Sequence, residues 1–154
     1  MSRFSAQATS TVAGAAGLNF LGLFAGATAG AKLRRVTLGT IAGATTPTSQ
    51  QLQIGVYRAT ATGTAGSSPV VAQLDPNSGP ALCTVGANFS AGPTLAANAS
   101  WLIPFNTQSS VDLPWELLEE WVITKGTANG LVFQNQTNVL PAGHAIVASI
   151  EWEE

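Results

Sequence analysis

From residue 32 onward, apolar and polar positions alternate with a period of two, the spacing of a strand with one buried face. In 51–58 (QLQIGVYR), Leu52, Ile54 and Val56 share a face opposite Gln51, Gln53 and Tyr57. In 101–105, Trp101, Ile103 and Phe105 alternate with Leu102 and Pro104, and in 131–136 Leu131 and Phe133 face together. In 144–152, His144, Ile146, Ala148, Ile150 and Trp152 lie on one side, with Ala145, Val147, Ser149 and Glu151 on the other. A further long strand is expected over 32–41, with Val36 and Leu38 inward.

Between these segments lie GATTPTSQ at 43–50, TGTAGSSP at 62–69, DPNSGP at 75–80 and PAG at 141–143. Their Gly and Pro residues set the backbone angles that turns need. About eight short strands separated by such turns predict an all-β fold, a sandwich or barrel. The stretch LPWELLEEWVITKGTANGLVF at 113–133 reads two ways. As a helix it would set Leu117, Leu118, Trp121 and Val122 against Glu116, Glu119 and Glu120, but Val122, Ile123 and Thr124 end any helix within about two turns. The better reading is a connection over 112–118, extended or a single helical turn, then a strand at 120–124. KGTANG makes the next turn, with Asn129-Gly130 a favoured turn dipeptide. Trp101, Trp115, Trp121 and Trp152 are the expected core anchors.

Residues 1–31 carry no charge except Arg3 and are rich in Gly, Ala and Thr. Asn19 and several Ser and Thr residues interrupt the apolar run, which argues against a secretory leader. The longest clean run, 18–27, is shorter than the roughly 20 residues of a membrane span. No membrane partner is expected. The segment is expected to be an extended N-terminal arm, packed on its own domain or on a neighbour, with the domain proper at 32–154.

Composition sharpens the picture. The 154 residues suit one domain. Only 9% are charged, against roughly 25% in a typical soluble domain. So little surface charge is a weak guard against self-association. The charges are also split by position. Residues 1–58 hold five bases and no acid; beyond them lie eight acids and one base, Lys125, giving +5 and −7. Either basic and acidic strands pair within one sheet, or opposed surfaces guide subunits together. Five scattered bases make no nucleic-acid footprint, so no nucleic-acid partner is expected.

Catalytic chemistry is thin. His144 is the only histidine and Cys83 the only cysteine, so a histidine-based triad has one possible centre and a cysteine-cluster zinc site has none. Cys83 reads as a small buried hydrophobe. Glu119 and Glu120 sit on opposite faces of a strand and should not converge on a metal. GATAGAK at 26–32 lacks the Gly-Lys-Ser/Thr of a phosphate loop. No catalytic residue, metal or cofactor is expected. Three glycosylation sequons, at Asn88, Asn98 and Asn135, are of the kind chance produces in a chain this rich in Asn, Ser and Thr.

RRVTLGTIAGATTPTSQQLQIGVYRAT at 34–60 and SVDLPWELLEEWVITKGTANGLVFQNQTNVLPAGHAIVASIEWEE at 110–154 resemble the small jelly-roll structural proteins of tailed bacteriophages. In that family a strand and a Lys/Pro-x-Gly turn lead into a Gly-led apolar strand, and the chain ends in an acidic β-strand. The resemblance covers about 32–154. It implies a single antiparallel jelly-roll-like β-sandwich, symmetric homo-oligomers (often trimers) and a place on a capsid surface or in a tail. It carries over no catalytic residues. The expected role is a non-enzymatic virion component, a head-decoration or cement protein bridging major capsid subunits. Arg34, Arg35, Glu119 and Glu120 are then candidate intersubunit contacts. The alternative is a receptor- or glycan-binding module of a tail or surface appendage, using Tyr57 or Trp101.

Overall fold

The computed structural model describes residues 1–11, 16–43, 46–136 and 139–154. Residues 12–15 of the N-terminal segment, 44–45 of the turn at 43–50 and Thr137 of the third sequon lie outside the described residues. Two six-stranded antiparallel sheets pack face to face as a β-sandwich. The strands are β1 Arg3–Thr9, β2 Asn19–Phe24, β3 Ala31–Ile41, β4 Gln51–Ala61, β5 Val71–Gln73 and β6 Thr84–Ala87, then β7 Thr94–Leu95, β8 Trp101–Asn106, β9 Val111–Pro114, β10 Trp121–Ile123, β11 Gly130–Asn135 and β12 Ala145–Glu153. The first sheet runs β10-β3-β12-β1-β5, with β9 beside β10 along β3; the second runs β6-β2-β11-β4-β7, with β8 also on β4. Strands β1 to β6 alternate between the sheets, a jelly-roll-like connection pattern.

The alternating residues form the core as their spacing predicts. Val36, Leu38, Leu52, Ile54, Val56, Leu131, Phe133, Ile146, Ala148 and Ile150 are all buried between the sheets. Trp152 is fully buried, its ring 5.8 Å from that of Phe4, and Phe20 meets Phe133 at 6.5 Å.

The N-terminal segment differs from the expected arm. β1 is an inner strand of the first sheet, between β12 and β5, and β2 an inner strand of the second, between β11 and β6. Phe4, Ala6 and Ala8 point inward from β1, and Phe20, Leu21 and Leu23 are buried in β2. The segment contributes its own apolar side chains to both layers, so the boundary at 31/32 falls inside the domain. The connection over 112–118 also begins as a strand, since Leu113 pairs with Val36 in β9. The turn at 125–130 is no hairpin: it carries the chain from β10 in one sheet to β11 in the other. Gly130 is required there for packing, because a Cβ would sit 2.4 Å from the Phe24 ring.

The outer face of the second sheet has its own cover. Phe24, Ala59 and Val132 form a small apolar cluster roofed by Phe89 and Leu95. Phe89 lies edge-on to Phe24 with ring centres 6.1 Å apart. Asn88, at φ 50, turns the chain into this roof and ties it down, accepting from Thr11 N–H and donating to Thr9 O. Beside the roof runs a chain of side-chain hydrogen bonds. Tyr57 donates to Gln136, Gln136 to Gln134, and Gln134 to Asn19.

Candidate functional site

Among the described residues, the first sheet's outer face has no apolar roof; it carries charge. Along β3, inward residues fall at 31, 33, 36 and 38, a step of three where a regular strand keeps two. The register shows the cause. Glu151 faces Arg35 and Trp152 faces Leu33, so Arg34 has no partner in β12 and the strand bulges there. A bulge re-aims side chains. Here it sends two consecutive arginines to the acid-bearing outer face.

The arginines are engaged within the chain. Arg34 ion-pairs with Glu120 on the edge and, at 2.7 Å, with Glu153 on β12. This pairing is largely shielded, with the side chains of Arg34, Glu120 and Glu153 only 13%, 3% and 12% exposed. Arg35 makes a two-point contact with Asp112 on β9, at 2.8 and 2.6 Å, and Arg3 reaches Glu151 at 3.4 Å. The hydrogen bond from Arg35 holds the Asp112 carboxyl below its usual range. Glu120 also lies below its range, first through its own backbone N–H, with Arg34 adding to the effect. The hydrogen bond to Glu153 raises Arg34 further above its already high value. The split of basic and acidic halves therefore resolves as pairing across strands of one sheet. Of the four candidate intersubunit residues, Arg34, Arg35 and Glu120 find partners in their own chain, while Glu119 is exposed.

Next to this face, three tryptophans close one edge of the sandwich. Trp101 of β8 meets Trp115 at 5.5 Å and Trp121 of β10 at 5.7 Å, joining one sheet to the other. All three are partly buried and pack against the core from its rim; of the four expected anchors, Trp152 alone lies inside it. Rings with a polar N–H suit such a rim better than a dry interior. Arg58 sits 5.9 Å from the Trp121 ring centre and donates to Val122 O, which satisfies a carbonyl on the edge strand β10.

Between Trp115 and Glu120 the chain makes a tight turn, with Glu119 N–H donating to Glu116 O at 3.1 Å. Arg34 fixes both ends of it: Trp115 N–H donates to Arg34 O at 2.9 Å, and Glu120 pairs with the guanidinium. Leu117 and Leu118 occupy the two central positions and are 66% and 88% exposed. Leu118 has φ 76, a left-handed conformation that glycine ordinarily takes at that place in a turn. Nothing in the sequence marks a leucine for that conformation.

The sparse nucleophile and base chemistry is engaged elsewhere. His144 is 1% exposed; its Nδ1 faces Ala142 O at 3.2 Å and donates to it, while Nε2 accepts from Thr48 N–H at 3.3 Å. Both ring nitrogens thus hold backbone, pinning the 46–50 segment. Cys83 is buried, and burial pushes its thiol up to about 12, far from a reactive thiolate. Glu154 accepts from Leu82 N–H, Cys83 N–H and Trp152 Nε1. Among the described residues, no three His, Cys, Asp or Glu side chains gather as a metal site, and no helix is long and apolar enough to cross a membrane. A depression of about 610 Å³ is lined by Thr40, Thr107, Gln108, Ser109 and Ser110, all uncharged.

No protein-family model matches this chain, and neither a curated protein nor a solved structure matches it.

Proposed function

We propose that this chain is a non-enzymatic structural subunit of a tailed-phage virion, a decoration or cement protein that sits as a homo-oligomer on the capsid surface and bridges major capsid subunits. The sequence resemblance raises the idea, and one structural observation carries it: where the charges go. Arg3, Arg34, Arg35, Asp112, Glu120, Glu151 and Glu153 pair within a single sheet, and Glu154 and Arg58 bond to their own chain. What remains outside is mostly Thr, Ser, Asn, Gln, Ala and Gly. Burying such a surface against a neighbour strips few ions of water, and interface centres are typically depleted of charge.

The glycan-binding alternative has less support. Tyr57 is hydrogen-bonded to Gln136, and Trp101 is wedged between two other tryptophans, so neither is a free stacking platform. Sedimenting native particles and counting this chain against the major capsid protein tests the proposal. Comparable copy numbers are expected. A few copies per particle would move the chain to the tail, and absence from particles would overturn a virion role.

A further inference from the structure

Four charged side chains, Lys32, Lys125, Glu116 and Glu119, make no ion pair or hydrogen bond among the described residues. Their positions are not scattered. Glu116 and Glu119 precede and follow the exposed Leu117–Leu118 pair and close its turn through their backbones. Lys32 and Lys125 flank a depression of about 320 Å³ beside β10, whose walls include Ala31, Val122 and Ile123. The chain therefore carries an apolar turn with an acid at each end of it, and an apolar recess lined by two lysines. Two acids, Glu153 and Glu154, also border the recess. Glu153 is held by Arg34, and Glu154 accepts from three donors of its own chain; the lysines make no such contact, although Lys32 acts on Glu120 at longer range.

We infer that the Leu117–Leu118 turn seats in the Lys32/Lys125 recess of a second copy of this chain, with Glu116 and Glu119 meeting the two lysines. The match of charge and apolar character selects that occupant, because both halves lie on the same molecule. One copy does not satisfy itself: both leucines stand open to solvent and Val122 is 46% exposed. The turn is also built to project. Arg34 holds both of its ends, and a leucine occupies the position where glycine would cost less strain. Backbone strain of this kind persists where the surroundings enforce it, often at a binding element. Projection and recess are different surfaces, so copies join either reciprocally about a two-fold axis or head to tail in a ring.

The inference rests on reading the chain as an assembling subunit but needs no capsid, so the purified full chain tests it alone. In sedimentation equilibrium the native chain should associate. Leu118→Gly should abolish association while leaving the melting temperature unchanged or higher, since it removes the projection and relieves the backbone. The decisive pair is charge-reversed. Glu116→Lys/Glu119→Lys and Lys32→Glu/Lys125→Glu should each be monomeric alone and associate when mixed. A native chain that stays monomeric at every concentration overturns the inference, as do variants that fail to associate on mixing. If the chain binds particles but never itself, this inference fails and the proposed function stands.

Discussion

The two outer faces of the sandwich begin from the same geometry and end differently. The second sheet covers itself with chain: Phe89 and Leu95 roof Phe24, Ala59 and Val132. Among the described residues the first sheet has no such roof, and it bonds its strands through Arg3, Arg34, Arg35 and the acids opposite them. An apolar roof works by removing area from water, with little dependence on pH or salt. An ion-pair face works through charges that protons and salt can reach. The molecule thus has one face indifferent to solution conditions and one that responds to them, around a shared interior.

The largest difference should come from the roof. Phe89→Ala removes a partly buried ring and should cost about 2 kcal/mol, less than the 3–5 of a fully buried aromatic. Denaturant melts at pH 7 and pH 4 should give the same loss. A loss that changed strongly with pH would erase the contrast between the faces.

The ion-pair face should show itself in acid. Asp112 and Glu120 titrate below their ordinary values of 3.8 and 4.5 when folded. Their stabilisation is complete above those values and disappears as pH falls through the lower folded ones. The melting temperature should therefore fall below about pH 4.5, and the Asp112→Asn/Glu120→Gln variant should fall less steeply. The arginines shift the other way, further above their already high values, so their contribution persists across any working pH. Parallel acid limbs in variant and native chain would mean that these carboxylates do not hold the face. The smallest effect belongs to Arg35→Gln, because Arg35 and Asp112 are 46% and 44% exposed. A slight drop in melting temperature at low salt should vanish at high salt.

Much of this contrast was readable in advance, and the exceptions have physical causes. β3, β4, β8, β11 and β12 announce themselves because large apolar residues alternate with polar ones. β1 does not, since two of its three inward residues are alanines, which contribute little to a hydrophobic pattern. β2 is covered on both faces and so reads as an unbroken apolar run. The charge split announced cross-strand pairing but not its location. The step of three from Leu33 to Val36 was the available sign of the bulge that turns both arginines outward. The Leu117–Leu118 turn was illegible, since leucine is no signal for positive φ and its neighbours allow several turns. The tryptophans told of packing but not of place, because an indole serves a rim as well as an interior.

The position of β12 has a consequence for how the molecule forms. It lies between β1 and β3 and pairs with both, while those two strands share no ladder with each other. Every other strand among the described residues precedes it in the chain. Until residues 145–153 leave the ribosome, the first sheet has no centre, and β1, which has only the short β5 to pair with earlier, must wait for its full-length partner far along the sequence. Pairings this distant make folding slow and leave strand edges open in the meantime. In a chain with so few charges to keep unfinished copies apart, the arrival of β12 governs whether the product is a sandwich or an aggregate.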